Sequence, residues 1–433
     1  MIATLIIALL TFAGVIVSIT VFPHLKIGKV SLDTFWILPL LASIILLSTS
    51  LAPINEVVSS LTSDSSINPI KILILFFSMT VISIYLDQLG LFHYLANLAA
   101  KKGGSSQYAL FFILYALVSA LTIFTSNDVV ILTFTPFICF FSKRAKINPL
   151  PYLIAEFAAA NTWSMMFIIG NPTNIYLATS ANINFIDYFK VMWLPTLIAG
   201  VAQLGIIFLI FFRKLKTPIE VENEDYHIES KIDLVFGVVI LLGVLITLII
   251  SNYISLEMYL ISMVGALSLL LISLIIRLIT KKNWNYFGGS LKRLPYQLIP
   301  FVLSMFVIVI ALSYQGITSY ISDALNKDGL IWIYGASSFA TANIINNIPM
   351  SILFSNLVSG LDGIRFYQAT YASIIGSNIG AFFTPIGALA GIMFSSLLNK
   401  HDIKFSFLDF TKYGIVIALP TLAISLAILS FIL

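Results

Sequence analysis

Charge is scarce in this chain. Lys, Arg, Asp and Glu make up 10% of its 433 residues, whereas 59% are hydrophobic and mean hydropathy is +1.02. A soluble domain covers its surface with roughly 25% charged residues, so a water-soluble globule is excluded. Cysteine is nearly absent. Cys139 stands alone, which rules out an internal disulfide framework and a thiolate metal cluster. His24, His93, His227 and His401 are the only histidines and lie too far apart in sequence to pair, so no structural metal is expected. The chain has no His-Glu-x-x-His helix, no close pair of membrane acids and no ATP-binding loop. An intramembrane protease and a self-contained ATP-driven pump lack their chemistry here, and the chain is not expected to be an enzyme. Nothing marks a nucleic-acid partner, and no cofactor is expected beyond Na⁺ or H⁺ as coupling ion. A basic region before the first apolar run is also missing, so 2–22 reads as a first membrane span rather than a cleaved signal.

Apolar runs recur instead, each about 20 residues long, enough to cross a hydrocarbon core of ~30 Å. The chain reads as an all-α polytopic membrane protein with the lipid bilayer as its main partner. Expected spans are 2–22, 34–52, 70–90, 149–178 and 191–212, then 232–251, 256–277, 294–314, 368–394 and 413–432. Two further stretches, 108–142 and 331–358, are interrupted near their middles by polar residues. Lys101 and Lys102 precede the first of these, and Lys143, Arg144 and Lys146 follow it, so both flanks fall on the cytoplasmic side. A segment that starts and ends on one side, with Thr125-Ser126-Asn127-Asp128 at its turn, is a re-entrant hairpin.

The other basic clusters fit the same topology. Arg213, Lys214 and Lys216 open a polar linker at 214–231 that also carries Glu220, Glu222, Glu224, Asp225 and Glu229. Arg277, Lys281, Lys282, Lys292 and Arg293 form the next cluster, and Lys400, His401, Lys404 and Lys412 the last. Loops at 53–69, 252–256, 315–330 and 359–367 are poor in Lys and Arg and are expected outside. The result is about ten spans plus two hairpins in an inner membrane, with both termini outside.

Each half then crosses an odd number of times, which makes the halves inverted repeats. The expected organisation is 1–213, a cytoplasmic linker at 214–231, and 232–433. Phe185-Ile186-Asp187-Tyr188-Phe189-Lys190 resembles Phe407-Leu408-Asp409-Phe410-Thr411-Lys412, and each is followed by a span containing Pro-Thr-Leu. Each repeat is expected to hold about five spans, one hairpin (108–142 or 331–358) and one broken helix (149–178 or 368–394).

Four polar, helix-breaking clusters lie at matching places in the halves. They are Ser126-Asn127-Asp128; Gly170-Asn171-Pro172-Thr173-Asn174; Asn346-Asn347-Ile348-Pro349; and Ser377-Asn378-Ile379-Gly380 running on to Thr384-Pro385-Ile386-Gly387. Proline removes a backbone donor and glycine tolerates open conformations, so these are breaks in mid-membrane. A broken helix offers N–H groups at one end and C=O groups at the other, which suit an anion and Na⁺ respectively. Ser126, Asn127, Asn171, Thr173, Asn174, Asn346, Asn347, Ser377, Asn378 and Thr384 are the expected solute ligands, and Na⁺ is expected near Asn127, Asn174, Asn347 and Asn378. Asp128, matched by Ile348 in the other half, is the expected coupling-ion residue; an N-cap is its plainer role. Glu156 reads as snorkelling to the interface or lining an entrance, Asp87 as structural near an interface, and Cys139 as packed.

These clusters resemble the ion transporter superfamily, and in their hairpins its arsenite permease branch. Asn127-Asp128 with Leu132-Thr133-Phe134-Thr135-Pro136 is similar to that branch's Asn-Asp…Leu-Thr-Pro hairpin. Asn346-Asn347-Ile348-Pro349-Met350 resembles its Asn-Asn-Met-Pro element, and Gly376-Ser377-Asn378-Ile379-Gly380 with Thr384-Pro385-Ile386-Gly387 its Gly-x-Asn-Leu-Gly…Thr-Pro-Ile-Gly. Gly170-Asn171-Pro172-Thr173-Asn174 departs from that branch, which lacks the proline, and looks more like the dicarboxylate and citrate permeases of the superfamily. The resemblance implies a scaffold part, a mobile transport part, elevator-like alternating access, and homodimers as one assembly. The expected function is secondary transport of a small anion or oxyacid, arsenite-like or a di- or tricarboxylate, coupled to H⁺ or Na⁺. The alternative is Na⁺/H⁺ antiport.

Overall fold

The computed structural model describes every residue except 23, 28–29, 63–67, 220–229, 252–253 and 281–284. The acidic part of the expected linker, Lys281, Lys282, and portions of the loops expected at 53–69 and 252–256 therefore lie outside the described residues.

The fold is helical apart from one short antiparallel hairpin, His24–Ile27 (β1) with Val30–Asp33 (β2), a feature the all-α expectation did not include. The first half contains α1 (Ile2–Thr20), α2 (Ile37–Ser48), α3 (Ile54–Thr62), α4 (Pro69–Gln88) and α5 (Leu91–Gly103). It continues with the hairpin α6 (Gln107–Phe124) and α7 (Asn127–Arg144), the broken pair α8 (Leu150–Trp163) and α9 (Pro172–Ser180), and α10 (Phe185–Phe211). The second half repeats that order. It runs α11 (Lys231–Ile250), α12 (Met258–Thr280), α13 (Asn285–Lys292), α14 (Leu298–Tyr314) and α15 (Ile317–Leu325). A second hairpin, α16 (Leu330–Ile345) and α17 (Asn347–Val358), leads to the broken pair α18 (Gly363–Gly380) and α19 (Leu389–Lys400), then α20 (Phe407–Ile432).

Packing exchanges partners between the halves. Helix α2 lies on α14 and α12 on α4; α7 lies on α19 and α17 on α9; α10 and α20 lie against each other. Local chemistry repeats too. Gly90 and Gly316, both at positive φ (83° and 73°), turn the chain sharply out of α4 and α14 into α5 and α15. The second of these turns bends the helix path by 80°. The matching hexapeptides found in the sequence are the first turns of α10 and α20. Asn184 and Ser406 cap them by accepting from the N–H of Asp187 and Asp409.

Among the described residues six helices are long and apolar enough to cross a membrane alone, or seven with α14 and α15 counted as one. The other expected spans are shorter: α2 has 12 residues, and those at 149–178 and 368–394 are each split in two. The loops expected at 53–69 and 315–330 contain α3 and α15. Helix α6 is 18 residues, long enough to cross by length, so its place in a re-entrant hairpin rests on the flanking basic residues. Val235, Val239, Leu242 and Ile246 of α11 and Val264, Leu267 and Leu271 of α12 present exposed apolar faces of the kind that lipid covers.

Helices α16 and α18 approach most closely at Gly376, where an added Cβ would overlap Ser338 Oγ and the Gly335 carbonyl. Gly376→Ala is accordingly expected to overpack this contact and destabilise the chain by about 1–3 kcal/mol, read as a lower melting temperature in detergent.

Candidate solute site at four helix breaks

All four expected breaks are present in the backbone. Ser126, Asn171 and Ala388 are extended (φ/ψ −79°/135°, −148°/140° and −151°/159°), and each precedes a helix start. Asn346 has φ 75° and ψ 153°, a region reserved almost wholly for glycine, which stores about 1–3 kcal/mol of strain. Helices α7, α9, α17 and α19 therefore all begin inside the bundle, and they meet as the pairs α7–α19 and α9–α17. Four positively polarised helix ends are gathered there.

Side chains join the breaks across the halves. Asn378 of α18 is fully buried. Its Oδ1 accepts from Asn171 Nδ2 (2.9 Å) and from the Ser164 hydroxyl (3.0 Å), and its Nδ2 donates to Asn174 Oδ1 (2.6 Å). Asn171 caps α9 by accepting from the Thr173 N–H, and the Thr173 hydroxyl donates to the same oxygen. Asn174 Nδ2 reaches back to the carbonyls of Ser164 and Phe167 and holds the break open. Four of the sequence-predicted residues, Asn171, Thr173, Asn174 and Asn378, thus form one network.

The others are distributed differently. Asn127 donates to Asn161 Oδ1 of α8 at 3.2 Å, while its own Oδ1 and the Ser126 hydroxyl are buried without a hydrogen-bond partner among the described residues. The hydroxyl of Ser377, beside Asn378, is unpartnered in the same way. Asn346, Asn347 and Thr384 belong to a separate network at the second hairpin. Asn346 Nδ2 donates to the Ile386 carbonyl, the Asn347 N–H donates to the Gly387 carbonyl, and Thr384 donates both N–H and hydroxyl to Asn343 Oδ1.

Asp128, in the first turn of α7, lines a cavity of about 400 Å³. Phe76, Thr80 and Ile84 of α4, Leu298 of α14, and Leu389, Ile392, Met393 and Ser396 of α19 form much of its wall, with Lys292 and Arg293 at the rim. A second seam, where Pro172 and Tyr176 of α9 and Ile348 and Ser351 of α17 face α4 and α14, encloses only about 20 Å³. The two seams thus differ in cavity volume.

Two acids are buried in the bundle. Asp87, expected as structural, accepts from the Thr133 hydroxyl of α7 at 2.7 Å and ion-pairs with Arg293 at 2.7 Å. Glu156 does not snorkel; it is 2% exposed between α7 and α8, where Thr135 lies 3.2 and 3.1 Å from its two oxygens. Its place near the start of α8 hid this, because α8, which packs against α6, α7, α10 and α18, is buried from Pro151 onward. Asn161, Ser164 and Asn343 were not singled out from the sequence. Each is a small polar residue in an apolar helix within about three turns of a break, and that proximity was the available signal. Among the described residues no cluster of His, Cys, Asp or Glu suited to a metal ion occurs.

Comparison with known proteins agrees with this architecture. The chain is similar to the arsenical pump membrane protein of Escherichia coli K12, with 27% identity over 376 residues, covering 82% of this chain and 85% of that one. It is also similar to the 46 kDa membrane protein of Mycobacterium leprae, with 25% identity over 374 residues, covering 82% and 84%. Among solved structures, the YdaH transporter of Alcanivorax borkumensis shares the fold at a TM-score of 0.54 and 12% identity, covering 99% of this chain and 97% of that one. A family profile described as citrate transporter matches residues 2–365. Because that match runs from the first helix past the second hairpin, the chain belongs to the citrate transporter family, membrane transporters of the ion transporter superfamily.

Proposed function

We propose that this transporter is a secondary carrier of a small anion or oxyacid, coupled to H⁺ or Na⁺ and working by elevator-type alternating access. The observation that carries the reading is the set of buried, unpartnered polar atoms at the helix breaks, Ser126 Oγ, Asn127 Oδ1 and Ser377 Oγ. Each costs about 1–3 kcal/mol when left unsatisfied, a cost that a bound solute or ion removes. Helix N-termini and neutral Asn, Ser and Thr groups suit an oxyanion or an uncharged oxyacid, while the carboxamide and hydroxyl oxygens suit Na⁺. The difference in cavity volume between the two seams supports alternating access, since a carrier exposes its site to one side at a time. In this reading hairpins and broken helices move past a scaffold of α2, α4, α12 and α14.

Arsenite and a di- or tricarboxylate are the two solute classes proposed. The first follows the arsenical pump relatives and the second the family description and the Asn171-Pro172 element. We further assign both termini to the outside of an inner membrane and 214–231 to the cytoplasm, with 1–213 and 232–433 as inverted repeats and homodimers as the assembly. Na⁺/H⁺ antiport is the second reading, favoured by the one acid, Asp128, at the cavity wall.

Purified protein in liposomes, given arsenite, citrate, a dicarboxylate or Na⁺ under imposed pH or Na⁺ gradients, is expected to accumulate one of them well above protein-free vesicles. Movement of none would overturn the proposal. Asp128→Asn is expected to flatten the pH dependence of flux while leaving solute binding in place. Unchanged pH dependence would remove Asp128 from coupling.

A further inference from the structure

Buried between α7 and α8 is an acid that the site described above does not use. Glu156 is 2% exposed, and among the described residues its hydrogen-bond partner is Thr135 alone. A hydroxyl carries one proton, yet Thr135 Oγ1 lies within hydrogen-bond distance of both carboxyl oxygens, at 3.2 and 3.1 Å. Thr135 can donate to one of them, and a protonated carboxyl satisfies the other contact by donating back.

Among the described residues no cation is ion-paired with Glu156. The helices packed on α8 are α6, α7, α10 and α18, and Phe157 also meets Phe394 of α19 and Phe410 of α20. Their titratable groups are Tyr108 and Tyr115 of α6, Asp128, Cys139, Lys143 and Arg144 of α7, Asp187, Tyr188 and Lys190 of α10, Arg365, Tyr367 and Tyr371 of α18, Lys400 of α19, and Asp409, Lys412 and Tyr413 of α20. Tyr115 is engaged with the Gly200 carbonyl and Gln203, Tyr188 with the Met165 carbonyl, Lys190 with Asp187, and Arg365 with Asn326. Lys143 and Arg144 are exposed at the far end of α7. On α8 itself, Tyr152 donates to Gln107. An unpaired carboxylate in such surroundings would cost several kcal/mol.

The position also links this acid to the hairpin. Asn127 and Thr135 stand on α7, and their partners Asn161 and Glu156 stand on α8, so one helix seam carries both the hairpin-tip contact and the acid. Two residues before Thr135, Thr133 reaches outward to Asp87 of helix α4. Sliding of α7 against α4 therefore bears directly on the turn that holds Glu156.

We propose that Glu156 is a proton-carrying site of the transport cycle, held as the carboxylic acid by Thr135 and exchanging its proton when the α7–α8 seam admits water. In that step the carboxyl O–H bond breaks, its electron pair stays on the carboxylate and the proton passes to water; reloading reverses it. The coupling rests on the function proposed above, whereas the proton occupancy does not.

Infrared difference spectra of the lipid-reconstituted protein in H₂O and D₂O test the occupancy. A protonated-carboxyl C=O band that Glu156→Gln removes, and that Thr135→Val shifts without abolishing, is expected; a Glu156 absorbing only as carboxylate overturns the proposal. For the coupling, vesicles with arsenite and with citrate are run in parallel. Glu156→Gln is expected to retain solute-for-solute exchange while losing pH-gradient-driven accumulation by about tenfold or more. Full gradient-driven accumulation by Glu156→Gln overturns it. Wild-type vesicles that move neither of these, nor a dicarboxylate or Na⁺, defeat the functional reading, and the coupling with it, while the infrared band still decides the acid.

Discussion

Asn378→Ala is expected to slow solute uptake into proteoliposomes by about a hundredfold, equivalent to roughly 2.7 kcal/mol in the barrier. Asn378 hydrogen-bonds across the two broken helices, as acceptor for Ser164 and Asn171 and as donor to Asn174. Its removal strands two buried polar groups at once, Asn171 Nδ2 and Asn174 Oδ1, while the Ser164 hydroxyl keeps the Asn161 carbonyl. Each costs about 1–3 kcal/mol if it finds no new partner, and water has little access because all four residues are at most 1% exposed. Melting in detergent should fall as well, so the rate must be expressed per folded molecule. Asn378→Asp separates the roles: it keeps the acceptor side for Ser164 and Asn171 but cannot donate to Asn174. If Asn378→Ala lowered the melting temperature and left the rate per folded molecule intact, Asn378 would be a fastener between helices and no part of a solute site.

Much of that site could be read from the chain before any coordinates, because its signals are local. Proline, glycine and asparagine inside apolar runs break a helix wherever the chain runs, and all four breaks lie where those residues cluster. The repeated hexapeptides were legible for the same reason, since a helix cap is a property of four neighbouring residues. What escaped was set by packing. Amphipathic helices α5 and α15 are too short and polar to stand out by hydropathy, and α3 and α13 likewise. Glu156 looked peripheral from its sequence position, yet four neighbouring helices bury it. Asn161, Ser164 and Asn343 are single polar residues on helices, and only the fold reveals that they face Asn127, Asn378 and Thr384. Asp87 and Arg293 lie far apart in the chain, so sequence alone offered no reason to pair them.

That pair yields the second large effect. Asp87 sits where helix α4 meets hairpin helix α7, with one carboxylate oxygen on the Thr133 hydroxyl and the other on the Arg293 guanidinium. Asp87→Asn keeps an oxygen for Thr133 and removes the charge, whereas Thr133→Val does the opposite. Breaking one partner of a buried pair costs about 3–5 kcal/mol, but the Arg293 side chain is 39% exposed, so solvent screening leaves a smaller share. The freed guanidinium then stands at the rim of the 400 Å³ cavity, and α7 loses a charged anchor to α4. Both changes weaken the state in which that cavity is open. A cysteine at Ser396, on the cavity wall, in a Cys139→Ser background reports on it by maleimide labelling. Asp87→Asn should slow that labelling several-fold and reduce uptake by about tenfold. Thr133→Val should do so less, and the double variant should fall short of the two effects added, because both substitutions release the same contact. Labelling and uptake that both matched the parent would mean that the pair only fills space between α4 and α14, and that the wider seam is held by something else.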